Sequence, residues 1–169
     1  VADPRSTHSA ADRAAQSELV LKLYDMVTEL TYTVESAVTV RDSARARAAA
    51  LQKGDALKGR LLAFAADIEK WRGTMVAARE GGRLTGEEQL RERLGDLYGK
   101  VNGYDGRPSG SQQQLTGVLA AELKSGQAAI DALLARQLPG VNSALRSKGL
   151  ATLSRPTRAE WDAAQQDKR

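Results

Sequence analysis

The chain has 169 residues but no cysteine, few aromatic residues and only four prolines. Without cysteine, it forms no disulfide, no thiolate metal site and no cysteine nucleophile. Aromatic residues make up 4% of the sequence, which is typical of a helical bundle packed with alanine and leucine and unlike a β-sandwich. No apolar run reaches the roughly 18–20 residues that a transmembrane helix needs. The composition therefore favours an all-α protein and predicts no transmembrane segment.

The charges make the chain mildly basic without concentrating that charge on one stretch. Lysine and arginine number 25 against 21 aspartates and glutamates, a net charge of +4. Most charges alternate in sign, whereas nucleic-acid binders usually carry a concentrated basic face. We therefore do not expect nucleic acid as the partner. The first residues, Val1 to Arg5, do not resemble a signal peptide and do not begin with methionine, so we expect the chain to be part of a longer protein.

The stretch from residue 10 to residue 53 contains no proline and no glycine. Apolar residues recur in it at helical spacing, namely at Leu19, Leu23, Met26, Val27, Leu30, Val34, Ala37 and Val38. At a rise of about 1.5 Å per residue, such a helix is ~60 Å long and cannot bury its apolar stripe alone. The alternation Leu30-Thr31-Tyr32-Thr33-Val34 also fits a strand, but good helix formers flank it without a break. We predict one helix to about Gln52, with Asp3-Pro4 as a helix entry or turn and Ser6 or Ser9 as further candidate caps.

Breaks in the sequence predict the remaining helices. Gly54 fits the left-handed position after helix 1, and Asp55 can cap helix 2. Thr85 and Glu88 match a capping box for helix 3. Pro139 suits the first turn of a new, short helix after helix 4. The predicted ranges are 55–79 for helix 2, 86–101 for helix 3, 111–138 for helix 4 and 139–148 for the final turn or short helix.

We predict an all-α, antiparallel bundle of four main helices, the first very long, plus a short C-terminal helix. The predicted inward faces comprise Leu57, Leu61, Phe64, Ile68, Trp71 and Met75 of helix 2, Leu90, Leu94, Leu97 and Val101 of helix 3, and Leu115, Val118, Leu119, Leu123, Ile130, Leu133, Leu134 and Leu138 of helix 4. Residues 1–153 are expected to form the bundle domain, and residues 154–169 a polar tail or a short helix. Gly95 and Gly99, one turn apart, either are tolerated in a packed helix or mark a close helix–helix approach.

No catalytic motif stands out, and we predict no catalytic residue, no metal and no cofactor. His8 is the only histidine; it lies near the start of the chain, where we expect a solvated side chain, and a dimetal carboxylate bundle needs more. Asp25 and Glu29, four residues apart, and Glu35 could act as paired carboxylates in acid–base chemistry. The simpler interpretation is the polar flank of an amphipathic helix. An enzymatic role requires these carboxylates to converge with other acids in one pocket.

Arg41, Arg45 and Arg47 form the local basic cluster of the chain, with Asp42 beside them. They are our candidates for contact with a partner or an anionic group. Arg41 lies on the apolar stripe of helix 1, where a covered guanidinium needs a carboxylate or carbonyl partner. The simpler interpretation is an arginine that forms a salt bridge, or extends its charged end to water, at one end of the bundle.

A set of short motifs resembles the region that follows the β-propeller in bacterial BNR-repeat proteins of the VPS10 (sortilin)-like kind. In order, the motifs are Asp3-Pro4-Arg5, Gln16 in a long helix, Val40-Arg41-x-x-x-Arg45, Leu97 to Val101 followed by Asp105-x-x-Pro108, and Leu138-Pro139-Gly140-Val141-Asn142-x-x-Leu145 ending in Lys148-Gly149-Leu150. The resemblance covers roughly residues 3–153. The family usually has threonine after that proline, and Ser109 here keeps a hydroxyl able to cap helix 4.

The resemblance implies a helical C-terminal domain that accompanies a propeller in an extracytoplasmic protein, either periplasmic or secreted. Many members of the family carry the label glycosyl hydrolase, which belongs to the propeller. We therefore expect a non-enzymatic accessory, interaction or structural domain, with the upstream propeller, another protein or a second copy as partner. One alternative is a part of a glycoside-hydrolase-type enzyme whose catalytic site lies in the missing propeller. Another is a bundle that binds an anionic surface or nucleic acid.

Overall fold

The structure, a computed structural model, describes residues 8–77 and 88–167. Its helices are α1 (Ala10–Ala49), α2 (Ala56–Met75), α3 (Leu90–Asn102), α4 (Gly110–Ser147) and α5 (Arg158–Gln166). No strand occurs in these two ranges. The predicted all-α bundle, with a very long first helix and a short C-terminal helix, is confirmed.

The chain divides into two compact units. Within the described residues, unit 1 comprises 8–30, 76–77 and 88–124, and unit 2 comprises 31–75 and 125–167. Unit 1 therefore contains α3 with the first parts of α1 and α4. Unit 2 contains α2 and α5 with the second parts of α1 and α4, so that residues 154–169 are grouped with helices of unit 2.

Hydrogen bonds show the antiparallel arrangement inside each unit. In unit 1, the Gln16 amide near the start of α1 donates to the Val101 carbonyl near the end of α3 (3.0 Å). In unit 2, Trp71 near the end of α2 donates through its indole to the Gly126 carbonyl of α4 (2.9 Å). At the other end of α2, Asp55 forms an ion pair with Lys148 near the end of α4. Helix α2 and the second part of α4 thus run in opposite directions within unit 2.

The start of α1 and the turn after it follow the sequence rules for caps. Ser9 Oγ accepts a hydrogen bond from the Asp12 amide, and the Asp12 carboxylate accepts one from the Ser9 amide, both at 3.1 Å. Gly54 has the left-handed φ of +91°, and Asp55 Oδ1 accepts a bond from the Leu57 amide (2.9 Å). The caps at Ser9 and Asp55 confirm the predictions, and the alternative cap Ser6 lies outside the described residues. Gly54 is left-handed as predicted, but it lies five residues after the end of α1 and does not occupy the position directly after that helix. Helix α1 ends at Ala49, three residues before the predicted Gln52.

The buried stripe of α1 differs from the predicted stripe in its middle. Thr33 and Ser36 are buried, while Val34, which the sequence placed on the stripe, is half-buried. Two polar side chains of unit 2 explain the difference: Arg155 donates to Ser36 Oγ at 2.8 Å, and Gln127 donates to Thr33 Oγ1 at 3.3 Å. Because these bonds replace water, two hydroxyl groups can be buried at little cost.

The inward faces of α2 and α3 are confirmed at every predicted position, but the bounds of both helices differ from the prediction. Helix α2 ends at Met75, before the predicted residue 79. Helix α3 begins at Leu90, where Gln89 and Glu92 form its capping box. Thr85, which was predicted to begin this helix, lies outside the described residues. The Gln89 amide donates to the Glu92 carboxylate (3.2 Å), and the helix begins four residues after the predicted residue 86.

Helix α4 contradicts two predictions. It continues through Pro139 to Ser147, so the predicted separate helix over 139–148 is wrong. Pro139 is exposed, which leaves room for the local distortion that a proline without an amide hydrogen causes. Leu115 and Val118 were predicted to face inward, but they are 38% and 51% exposed, while the intervening Thr116 is buried.

The glycines of α3 do not mark a close approach. A Cβ added at Gly95 or Gly99 would have no neighbour within 4 Å, so that interpretation is wrong and the two glycines are merely tolerated. The close approach occurs instead at Gly126, where a Cβ would overlap the thioether of Met75. In that place the absence of a side chain lets α4 approach α2.

Candidate functional site

The predicted basic cluster on α1 is engaged within the molecule. Arg41 forms ion pairs with Asp42 (2.8 Å) and with Glu69 of α2. The hydrogen bond to Asp42 is the main cause that raises the pKa of Arg41 above its ordinary value. Arg45 lies 3.9 Å from the same Asp42 carboxylate, and Arg47 donates to the Ala151 carbonyl (3.2 Å). Contact of these three arginines with an anionic partner stays a prediction.

Glu69 links the cluster on α1 to a further arginine, Arg72, on α2. Arg72 approaches its carboxylate at 2.8 Å, and the hydrogen bond from Arg72 is the main cause that lowers the pKa of Glu69. With Arg41 on one carboxylate oxygen and Arg72 on the other, Glu69 is bracketed by two guanidinium groups. Charge-assisted bonds of this kind are stronger than neutral ones, so Glu69 links Arg41 of α1 to α2.

The carboxylates considered for catalysis lie in different surroundings. Asp25 is exposed. Glu35 accepts hydrogen bonds from the Trp161 indole (2.6 Å) and from the Gln165 amide (3.0 Å). Among residues 8–77 and 88–167, no group of three or more histidine or acidic side chains is placed to hold a metal ion.

His8 is not the solvated side chain that the sequence predicts. It is half-buried and packs edge-on against the Tyr104 ring, with centroids 5.6 Å apart. Both rings lie against Gly106, where an added Cβ would come within 2.7 Å of each. The loop between α3 and α4 is therefore tied to the start of α1 by ring packing, which the terminal position of His8 did not indicate.

Clefts with charged residues in their walls occur in both units of the described part of the chain. The cleft in unit 1 has a volume of about 390 Å³, and its lining includes Glu18, Lys22 and Arg107. The cleft in unit 2 has about 510 Å³ and includes Glu35 and Arg47. Each cleft combines charges of both signs, so neither is a site for ions of one sign.

The C-terminal residues form one wall of the cleft in unit 2. Thr157 and Glu160 form the capping box that begins α5, and hydrogen bonds from Thr157 lower the pKa of Glu160. Trp161 packs edge-on against the Tyr32 ring at 5.7 Å. The guanidinium of Arg158 lies over both rings, 5.3 Å from Tyr32 and 5.2 Å from Trp161. A cation between two aromatic rings is a stabilising arrangement, so α5 is held against α1.

Sequence reasoning missed most of the residues that hold this C-terminal segment. Tyr32 was considered only as part of a strand-like alternation, and Asn142 only as part of a family motif. The cap at Thr157 and the isolated Trp161 in a polar stretch were the available signals, because a large aromatic residue after a helix cap needs a surface to cover it. Periodicity gives no signal for a segment that packs without regular structure.

Large apolar side chains are exposed in pairs in unit 1. Leu21 and Tyr24 of α1 are 64% and 52% exposed. Leu115 and Val118 of α4 form a second pair with the same spacing of three residues. Side chains three residues apart on a helix are neighbours, so each pair forms a continuous apolar patch. Single exposed apolar residues are normal, whereas contiguous ones indicate a surface for contact.

No protein-family model matches this chain, and neither a curated protein nor a solved structure shows a significant match to it. In the described residues, no helix is long and apolar enough to cross a membrane.

Proposed function

We propose that the chain is a non-enzymatic helical domain that binds another protein domain. The partner that we propose is the β-propeller of a longer BNR-repeat protein of the VPS10 (sortilin)-like kind, in line with the sequence resemblance. The observation that carries the proposal is the pairing of exposed apolar residues in unit 1. Leu21 is the most exposed of them, at 64%.

Burial of these pairs against a partner contributes a favourable free energy of binding. Covering one side chain of leucine size contributes ~1.5–3 kcal/mol, and each patch contains two such side chains. The patches also lie on long helices, whose rigid backbone loses little further freedom when a partner binds. A propeller offers a broad surface of this kind beside its own chain.

The same resemblance supports two further parts of the proposal. We assign the label glycosyl hydrolase to the propeller and place the longer protein outside the cytoplasm, in the periplasm or secreted. The reading frame upstream of Val1 tests the first part, because it should encode repeated propeller blades. Fractionation of the source cells, with an antibody against this chain, tests the second.

The binding test uses the upstream polypeptide and this chain, expressed separately and mixed in a calorimeter. Leu21→Glu and Val118→Glu should each weaken binding by about tenfold or more, because each places a charge in the contact. Leu62→Glu is the matched control, since Leu62 is 47% exposed but lies in unit 2. Equal weakening by all three variants, or no binding by the unchanged chain, would contradict the proposal.

A further inference from the structure

Unit 2 contains a groove between α1 and α4 that holds a non-helical segment, residues 150–157. The centre of the contact is Asn142 of α4. Its side-chain amide donates to the Leu153 carbonyl and accepts from the Leu153 amide, both at 2.8 Å. A side-chain amide has the donor and acceptor of a peptide group, so these two hydrogen bonds recognise the backbone of Leu153 and not its side chain. Asn142 thus binds the backbone of Leu153 as a groove residue binds the backbone of an extended peptide.

Other side chains bind the segment in the same way on both sides of Leu153. Arg47 donates to the Ala151 carbonyl at 3.2 Å, and Tyr32 donates through its hydroxyl to the Pro156 carbonyl at 3.1 Å. The side chain of Leu153 is itself buried, with 3% exposure. The groove therefore has a series of backbone contacts around one apolar anchor, which is how grooves bind extended peptides.

Arg155 adds a charged anchor two residues after the apolar one. It forms an ion pair with Asp131 of α4 (2.6 Å) and donates to Ser36 Oγ. Its guanidinium also lies 5.6 Å from the centre of the Tyr32 ring. The groove thus engages the side chains of Leu153 and Arg155, two residues apart, and contacts Pro156 through its backbone carbonyl.

The segment joins α4 through a single turn. Gly149 has a left-handed φ of +68°, and the Leu150 amide donates to the Leu145 carbonyl at 3.0 Å. Such a turn at a helix end needs glycine, because other residues are strained there. If this turn opens, the segment leaves the groove without any change in the helices that form it.

We propose that the groove also accepts the same segment from a second copy of this chain, so that two copies exchange residues 150–167. The second copy is the occupant that fits, because it carries the same leucine, arginine and proline in the same register. Reciprocal exchange uses each contact twice and closes after two chains. The inference uses unit 2 alone and does not depend on the proposed function, which uses the exposed residues of unit 1.

The test mixes two variants of the full chain. Asn142→Ala damages the groove and keeps the segment, while Leu153→Asp damages the segment and keeps the groove. Each variant alone should stay monomeric. Their mixture should form a species of twice the 18.1 kDa chain mass, measured by sedimentation velocity, because an intact groove then meets an intact segment. A mixture that stays monomeric while both variants keep helical circular dichroism overturns the proposal.

A labelled peptide of residues 150–167 gives a second measurement. It should bind Leu153→Asp at least about tenfold more tightly than the unchanged chain, whose own segment competes at a high effective concentration. The double variant Asn142→Ala, Leu153→Asp should not bind it, and Ser143→Ala is the matched neutral control on α4. Equal binding to all chains contradicts a specific groove.

A third variant keeps both the groove and the segment. Gly149→Val strains the left-handed turn. Because exchange opens this turn, the dimer fraction of the variant should rise by about tenfold over that of the unchanged chain. An unchanged dimer fraction in this variant contradicts exchange, even if Leu153→Asp fails to fold.

Discussion

Unit 1 and unit 2 each contain a part of α1 and a part of α4, yet the outer surfaces of these helices differ in how many large apolar side chains they expose. In unit 2, residues 150–166 lie on both helices, and Leu62 is its one large apolar residue in the described range with substantial exposure. In unit 1, the apolar pairs on α1 and α4 stay exposed. The same two helices are therefore covered by the chain itself in one unit and carry exposed apolar pairs in the other.

The units also differ in how polar groups enter the core. In unit 2, the buried hydroxyl oxygens of Thr33 and Ser36 accept hydrogen bonds from side chains elsewhere in the unit, and Ser36 also donates to the Thr33 carbonyl of its own helix (3.2 Å). In unit 1, the buried Thr116 bonds within its own helix, to the Gln112 carbonyl (2.8 Å). A hydroxyl that is satisfied locally does not constrain its neighbours, whereas one satisfied from a distance does. Unit 2 therefore specifies the position of its C-terminal segment through its core.

The largest expected effect comes from a core truncation in unit 2. Phe64 is 1% exposed, and Phe64→Ala should lower the free energy of unfolding by about 3–5 kcal/mol through lost burial and the cavity left behind. Urea unfolding followed by circular dichroism measures the change. Leu62→Ala, on the outer side of the same helix, is the control and should change it by less than about 0.5 kcal/mol. Similar losses in both variants would mean that the assigned inner face of α2 is wrong.

A smaller effect compares two glycines of α4 that lie in different units. Gly117 has open space around its missing Cβ, so Gly117→Ala should raise the free energy of unfolding by about 0.5–1 kcal/mol. Gly126→Ala should give no such gain, because its Cβ would displace the Met75 thioether. Thermal unfolding of both variants decides the matter. An equal gain at Gly126 would show that α2 and α4 do not approach there.

The smallest expected effect is the pH dependence of one ion pair in unit 2. The hydrogen bond from Lys148, followed by that from the Leu57 amide, lowers the pKa of Asp55 below its ordinary value of 3.8. A lowered folded-state pKa means that the stabilisation is present above the unfolded pKa and is lost as the pH falls through the folded one. The pair lies at the surface, so the effect is small.

Asp55→Asn should therefore be less stable than the unchanged chain at neutral pH, and the difference should shrink below pH ~4. Urea midpoints measured across this pH range report the change. Lys148→Met is the matched partner variant, and it should reduce the same pH dependence. A stability difference that is constant with pH would contradict the assigned role of the pair.

The prediction from sequence succeeded where a local rule decides the structure. The caps at Ser9 and Asp55 and the hydroxyl of Ser109 occur as predicted; Ser109 Oγ accepts a bond from the Gln112 amide (3.2 Å). The strand-like run around Thr33 is helical, as the flanking residues indicated. Such features depend on bonds within a few residues, which the sequence shows directly.

The prediction failed where contacts between residues far apart in the sequence decide which side chain is buried or whether a helix continues. Thr33 replaces Val34 on the buried stripe because distant polar partners satisfy its hydroxyl. Pro139 stays inside α4, since the packing of the helix on both sides outweighs one missing backbone bond. The inward position expected for Val118 was also wrong, because the neighbouring helix segments determine which face of α4 is covered.

The amino-acid sequence by itself determined that the chain is helical, where most of its helices begin, and which residues of α2 and α3 face inward. Periodicity and capping are local properties, and they survive in any arrangement that covers the apolar stripes. Only the tertiary structure decided that the chain forms two units and that residues 150–157 lie in a groove of unit 2. That contact is made by single side chains, such as Asn142, on the backbone of a segment without periodicity, and no pattern in the sequence records it.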